Sequence, residues 1–200
     1  MHPRAAQALS VVFHPVFVNS FSLLLLFLLF PSLRYGVHPA MKVFYWSVIF
    51  ISTGIVPMAW VGVSRLLGKI DSILLPNSDD RNLPYILTAS LYMLDFYLAG
   101  QWGASSLFRA YLLACSSVVV SVLIINQFTK ISIHAASLGA LAAVIHQSAL
   151  VAGFDVRYLM IAALVISGLV LSARLWAESH TSTQVYLGFL VGFLWMVLML

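Results

Sequence analysis

The sequence predicts an all-α protein, a polytopic transmembrane helical bundle of about six to seven spans. Hydrophobic residues make up 62% of its 200 residues and charged residues only 8%, against about 25% in an average soluble domain. The mean hydropathy is +1.02. The apolar stretches approach the roughly 20 residues that cross a bilayer, and they lack the alternation of a barrel strand. Residues 1–200 are therefore predicted to form a single integral membrane domain.

Seven apolar stretches are predicted to span the membrane. The first would be a retained span and not a signal peptide, because Pro15 and Asn19 interrupt it and no small-residue cleavage pattern precedes Pro31. Only the connection over residues 68–83 is long, and its Lys, Asp, Asn and Pro residues predict a loop at the membrane surface. In chain order, the predicted spans cover residues 11–30, 43–67, 84–101, 106–127, 133–152, 157–174 and 184–200.

Counting these spans places several polar residues at one face of the membrane. Two spans separate Arg81 from His134, and two more separate His134 from Arg174 and His180. An even number of crossings returns the chain to the same side, so these residues should emerge together, and His14 should share their face. The Lys and Arg tally is 6 on this face against 4 on the other, which does not decide the orientation in the bilayer.

Basic residues and histidines at the edges of spans fit a site that handles phosphate. Hydrolysis of a phosphate ester needs cations for the phosphoryl oxygens, an aligned nucleophile and a proton for the leaving oxygen. Arg174 offers a planar fork for two oxygens, with Arg81 and Lys130 as further cations. Ser132, at a predicted helix start, adds a hydroxyl beside free backbone N–H groups. His180 precedes another predicted helix start.

These residues resemble the type 2 phosphatidic acid phosphatase superfamily of membrane lipid phosphatases. The family's third motif, Ser-Arg-x5-His-x3-Asp, is matched by Arg174 and His180, and its second, Pro-Ser-Gly-His, by Ser132 and His134. The likeness extends from about Arg81 to residue 184. It implies a phosphatase-like core over about residues 81–200, with the motifs at one membrane face.

The chain departs from the family pattern at several motif positions. Of the first motif, Lys-x6-Arg-Pro, only Arg81 with Pro84 has a counterpart, and no lysine lies seven residues before that arginine. Gln184 stands where the family has aspartate. The remaining departures are Ala173 for serine, Ile131 for proline and Ile133 for glycine.

The resemblance implies a hydrolase that acts on a lipid phosphate or diphosphate in the bilayer. His180 would attack phosphorus to form a phosphohistidine, and His134 would protonate the leaving group. Since Gln184 replaces the orienting aspartate, Glu178 or Asp80 would have to supply a carboxylate. The resemblance and the small chain together suggest a bacterial inner membrane, with the site facing the periplasm or exterior.

Two other interpretations stay open from the sequence. A noncatalytic relative that binds or transports phosphorylated lipids is favoured by Gln184. An ion or proton pathway through Asp95 and His146 would require both to line water. We expect Asp95 instead to pair with Arg109 across a helical hairpin near Gly103. No metal is expected, because no cluster of His, Asp and Glu has ligand spacing. No cofactor or nucleic-acid partner is expected either, and the oligomeric state stays open.

Overall fold

The computed structural model describes residues 3–73, 75 and 77–200, and this part of the chain is helical with no β-strand. The α-helices are α1 (Pro3–Val12), α2 (Pro15–Leu29), α3 (Pro31–Gly36), α4 (Pro39–Phe50), α5 (Val56–Leu66), α6 (Asp79–Gln101), α7 (Ser106–Asn126), α8 (Ile133–Ala149), α9 (Arg157–Trp176) and α10 (Ser182–Met199). One segment, Ile51–Ile55, is a π-helix and lies between two of the α-helices, α4 and α5.

The all-α prediction is confirmed, but the predicted span count is not. Each of the seven predicted stretches contains a helix. In the described part of the chain, four helical segments are long and apolar enough to cross a bilayer: Pro39–Leu66, Ser106–Asn126, Arg157–Trp176 and Ser182–Met199. A fifth apolar helix, Pro15–Leu29, is shorter. The length and composition of these helices indicate an integral membrane protein.

Asp95 does not form the ion pair with Arg109 that we expected from the sequence. The Asp95 side chain is only 2% exposed, and its Oδ2 accepts a hydrogen bond of 2.6 Å from the hydroxyl of Ser52. Arg109 instead lies over the ring of Phe96, 4.7 Å from the ring centroid. Neighbouring residues of a helix point about 100° apart, so Asp95 and Phe96 of α6 meet different partners even though Asp95 and Arg109 have similar predicted depths.

The partner of Asp95 lies in the π-helical segment. Pro57, near the start of α5, has no N–H for the carbonyl one helical turn earlier. In a membrane-spanning helix, a local π-turn is one adjustment that satisfies the backbone groups freed by a proline. Ser52 sits in that turn, so the polar contact to α6 occurs where the regular helix is interrupted.

Helix α8 is enclosed by its neighbours, and α10 packs closely along it. Every residue from 135 to 145 is buried. A Cβ atom on Gly192 would overlap the backbone carbonyl of Ala136, and one on Gly139 would overlap that of Phe189. Glycine at such positions lets two helix backbones approach. The approach also fixes the two helix starts relative to each other, since the N–H of Ser132 donates to the carbonyl of Gln184 at 3.3 Å.

Candidate functional site

Six basic side chains lie near one another at the end of the bundle where α8 and α10 begin, and we call this group the basic cluster. Arg174 is close enough to act electrostatically on four of its members, and Arg81 acts on Arg174, Lys130 and His180. The cluster consists of His14, Arg81, Lys130, His134, Arg174 and His180. The structure therefore brings together every cationic and histidine residue that the sequence assigned to the site.

A helix-terminating turn returns the chain to the cluster after α9. The N–H of Glu178 donates to the carbonyl of Leu175 at 3.0 Å, and that of Ser179 donates to the carbonyl of Arg174 at 3.2 Å. This pair of bonds is the Schellman arrangement, in which one residue takes a left-handed conformation. Glu178 has that conformation, with φ of 50°. The reversal places His180 beside Arg174 although six positions separate them in sequence.

The ring of His180 is held at one nitrogen by two oxygen acceptors. Its Nδ1 lies 3.1 Å from the carbonyl oxygen of Lys130 and 3.3 Å from Oε1 of Gln184. Both partners accept hydrogen bonds, so Nδ1 carries the proton of the neutral ring and Nε2 keeps a free lone pair. Burial, together with the positive charges of Arg174 and Arg81, lowers the pKa of His180 to about 4. The neutral ring therefore predominates near pH 7.

Gln184 is itself fixed, so its carbonyl oxygen faces the histidine. Its Nε2 donates to the hydroxyl of Thr129 at 3.1 Å, while Oε1 also accepts from the N–H of Thr181 at 3.1 Å. The Thr181 hydroxyl accepts from the N–H of Gln184, which completes a capping box at the start of α10. The side-chain amide of Gln184 therefore takes part in the cap of α10 and also holds the ring of His180 in place.

His134 and Arg174 both contact Ser10, near the end of α1. Nε2 of His134 lies 3.1 Å from the carbonyl oxygen of Ser10, and Nη1 of Arg174 donates to the Ser10 hydroxyl at 3.3 Å. Sequence reasoning missed Ser10, since no spacing relates α1 to residues more than 120 positions away. The Nε of Arg174 is buried without a hydrogen-bond partner among the described residues, and a buried donor of this kind requires an explanation.

The other two cations are placed by the segments that precede α6 and α8. Arg81 is 9% exposed, and its Nε donates to the carbonyl oxygen of Leu75 at 2.8 Å. Burial, with Arg81 and Arg174 nearby, lowers the pKa of Lys130. Its carbonyl is also the acceptor for His180, a role of the backbone that side-chain patterns in the sequence do not reveal.

Ser132, which the sequence assigned to phosphate binding, lies fully inside the protein. It has no exposed surface, and its hydroxyl accepts from the N–H of Ala135 at 3.4 Å as the N-cap of α8. The predicted helix start is confirmed. The hydroxyl is engaged in that cap, so its contact with phosphate stays a prediction.

Neither Asp80 nor Glu178, the two carboxylates that we expected beside His180, is bonded to its ring. Asp80 accepts a hydrogen bond from Asn77 at 3.2 Å, and Glu178 is solvent-exposed. The acceptors at Nδ1 of His180 are the Lys130 carbonyl and Gln184, which take the place that the sequence analysis gave to a carboxylate.

All six carboxylates of the chain lie within the described residues, and none pairs with the basic cluster. Within the described residues (3–73, 75 and 77–200), the single ion pair joins Arg157 to Asp155 at 2.7 Å. Asp95 is bonded to Ser52. Asp80 is bonded to Asn77, and Asp71, Asp79 and Glu178 are exposed. The three permanent cations of the cluster therefore have no protein counter-ion.

The residues of the alternative ion pathway have separate surroundings. Asp95 is enclosed against Ser52, whereas His146 is exposed, with its ring 5.9 Å from that of Phe193. No group of three or more His, Cys, Asp or Glu side chains with metal-binding geometry occurs in the described part of the chain.

The chain thus belongs, by its fold, to the class of helical integral membrane proteins, and it carries a partly buried basic cluster at one end. Comparison with protein-family models, with curated proteins and with solved structures found no match. Any assignment of function consequently depends on the residues of the cluster themselves.

Proposed function

We propose that the protein is a membrane lipid phosphatase that hydrolyses a lipid phosphate or diphosphate through a phosphohistidine at His180. The observation that carries this proposal is the basic cluster without a carboxylate. Arg81 is buried and Arg174 and Lys130 are partly buried, and charges removed from water are costly unless paired. An anionic phosphate that enters the cluster would supply the missing charge and an acceptor for the buried Nε of Arg174.

The first chemical step uses the free nitrogen of His180. The lone pair on Nε2 attacks phosphorus while the bond from phosphorus to the lipid oxygen breaks. The guanidinium of Arg174 binds two phosphoryl oxygens, and Arg81 and Lys130 stabilise the charge that spreads over them. The leaving oxygen takes a proton from His134. A phosphate dianion in the cluster offsets the charge of Arg174 and so favours the protonated ring of His134 that this step needs.

The second step returns the enzyme to its starting state. A water molecule gives a proton to His134 and attacks phosphorus, and the bond to Nε2 of His180 breaks. Nδ1 keeps its proton throughout, because the Lys130 carbonyl and Gln184 continue to accept it. In both steps the carbonyl of Ser10 keeps accepting a hydrogen bond from Nε2 of His134, so the proton is exchanged at the other ring nitrogen, Nδ1.

The proposed substrate is a lipid, because the basic cluster lies at the end of a bundle whose helices include four that are long and apolar enough to cross a bilayer. The headgroup would enter the cluster while the acyl or prenyl chains stay in the bilayer. By the resemblance to the family, the cluster would face the periplasm or exterior of a bacterial inner membrane.

A noncatalytic protein that binds phosphorylated lipids is the second candidate. It is favoured by the contacts of Ser10, which occupies hydrogen-bonding groups of both His134 and Arg174. Such a protein would hold the same headgroup in the same cluster but would not release phosphate.

The test is phosphate release by purified protein from a panel of lipid phosphates and diphosphates, without added metal. We expect hydrolysis by the wild type, background activity for His180→Asn, and a loss of about 10²- to 10⁴-fold for His134→Asn. Quenching in alkaline detergent, which preserves the P–N bond of a phosphohistidine, should trap a low level of radiolabelled phosphate on wild-type protein and none on His180→Asn.

Three variants outside the cluster serve as matched controls. His38 and His146 are exposed histidines, so His38→Asn and His146→Asn should retain wild-type activity. Glu178→Gln should retain it too, because the carboxylate is exposed and bonded to neither histidine. Folded protein that binds the lipids and releases no phosphate from any of them would overturn the catalytic proposal in favour of the second candidate.

A further inference from the structure

His14 joins the basic cluster from the start of α2, outside every motif of the phosphatase family. Its ring meets that of His134 edge-on, with centroids 5.7 Å apart and planes at 87°. Arg174 lies close enough to act on it, and this charge adds to burial in lowering its pKa. Three helices, α6, α8 and α9, and the segments before α2, α8 and α10 thus contribute basic groups to one site.

The local structure at His14 fixes which ring nitrogen carries the proton. His14 is the N-cap of α2, and its Nδ1 accepts the N–H of Val16 at 3.4 Å. A nitrogen that accepts a hydrogen bond holds a lone pair, so in the neutral ring the proton sits on Nε2. Because Nδ1 of His14 accepts the cap bond, Nε2–H remains as a donor at the other side of the ring. His14 belongs to the basic cluster, which has no carboxylate partner among the described residues.

We propose that His14 is an anion-binding residue of the site, and that its Nε2–H donates to a phosphate oxygen of the bound headgroup. The inference rests on the proposed function, since it takes the basic cluster to be the phosphate site. A neutral imidazole adds a donor without adding a fourth permanent charge to Arg81, Lys130 and Arg174. Hydrogen bonds to charged groups are stronger than those between neutral groups, so loss of this donor should weaken phosphate binding.

The chain contains a second histidine with the same local structure and a different environment. His38 precedes Pro39 as His14 precedes Pro15, and it caps α4 by accepting the N–H of Ala40 at 3.2 Å. The backbone angles agree closely, with φ and ψ of −62° and 141° at His14 and −59° and 140° at His38. His38 is exposed, so it reports the effect of the cap alone.

Two substitutions separate the cap from the donor. His14→Asn keeps a side-chain oxygen where Nδ1 accepts, and asparagine is among the best N-cap residues, but the distal N–H is lost. His14→Gln places an amide N–H near the position of Nε2 and loses the cap. The readouts are the dissociation constant for inorganic phosphate, by calorimetry on the full chain in detergent, and the melting temperature.

We expect His14→Asn to weaken phosphate binding about 10- to 100-fold with an unchanged melting temperature. His14→Gln should lower the melting temperature and bind phosphate more tightly than His14→Asn, and His38→Asn should change neither quantity. Wild-type phosphate affinity in His14→Asn overturns the role of His14 and leaves the phosphatase proposal standing. Affinity lost in His14→Gln but kept in His14→Asn shows that His14 only caps α2. Absence of phosphate binding by the wild type overturns both proposals.

Discussion

Replacement of Gly188 by alanine should separate the two helix starts that form the site. A Cβ atom at this position would lie 2.5 Å from the carbonyl oxygen of Ser132 and 3.2 Å from the Cβ of Ala135. Close carbon-to-oxygen contacts in proteins are about 3.3–3.6 Å. The backbones of α8 and α10 must therefore move apart by about 0.8 Å at this point, measured from the lower of those limits.

The shift has a cost in stability and a larger consequence for activity. Overpacking of this kind costs about 1–3 kcal/mol, from which the better helix propensity of alanine recovers up to about 1 kcal/mol. His134 lies two residues beyond Ser132 on the displaced helix, whereas His180 stays with the start of α10. Since a misplacement of about 1 Å can cost about 10²-fold in rate, we expect kcat/KM to fall about 10- to 100-fold.

The assay is phosphate release per folded molecule, with the melting temperature measured on the same sample. Gly168→Ala is the matched control, because Gly168 lies inside α9 and a Cβ there would have no neighbour within 4 Å. The control should keep wild-type activity and should gain up to about 1 kcal/mol of stability from the better helix propensity of alanine. Wild-type values of both quantities in Gly188→Ala would refute the argument that α8 and α10 are held together at this glycine.

Three further predictions follow from the contacts of single residues. Gln184→Glu keeps the shape of the side chain and adds a carboxylate at Nδ1 of His180, which should stabilise a positively charged ring. More phosphoenzyme should then be trapped on quenching in alkaline detergent, and an unchanged amount would contradict this. The pKa of His180 is about 4 in the folded protein and about 6.5 when unfolded, so the unfolded state binds the extra proton and stability should fall as the pH drops from about 6.5 to about 4. His180→Asn should lose less stability over that range in thermal melts, and an equal loss would assign the pH dependence to other groups. Asp95→Asn and Arg109→Gln should change the free energy of unfolding additively, within about 0.5 kcal/mol, because these residues do not pair. A larger coupling in the double-mutant cycle would show that they do.

The sequence was sufficient to predict the helices but not their lengths. Apolar stretches and prolines placed a helix in each of the seven predicted spans, because both signals are local. The first predicted span divides into α1 and α2 at His14, and α6 begins at Asp79, five residues before the predicted start at residue 84. Polar residues at a helix start reduce its mean hydropathy without breaking its hydrogen bonds, so a search for apolar runs misses them.

The site was predictable as a group of residues and not as a set of contacts. Counting spans placed Arg81, His134, Arg174 and His180 at one face, and the structure brings them together. The contacts with the Lys130 carbonyl and the Ser10 backbone could not be predicted, because any residue can supply a main-chain acceptor and only the fold selects one. The pairing of Asp95 with Ser52 depends in the same way on a π-turn that the sequence did not indicate.

Gln184 stands where the family that the motifs resemble has aspartate, and under the proposed mechanism this difference separates two tasks of that carboxylate. The first task is to hold the nucleophilic ring in one tautomer, and here the Lys130 carbonyl and Gln184 perform it with neutral oxygens. The second is to balance the charge that the ring of His180 gains when it is phosphorylated, and a neutral acceptor does this poorly. After the dephosphorylated, uncharged lipid has left, the positive charge on the ring of His180 is balanced only by the phosphoryl group. That group also faces the three cations of the basic cluster. The phosphohistidine should therefore be harder to form and faster to hydrolyse than one supported by a carboxylate, so its formation should limit the rate. Rapid-quench kinetics should then show phosphate release without an initial burst of phosphoenzyme.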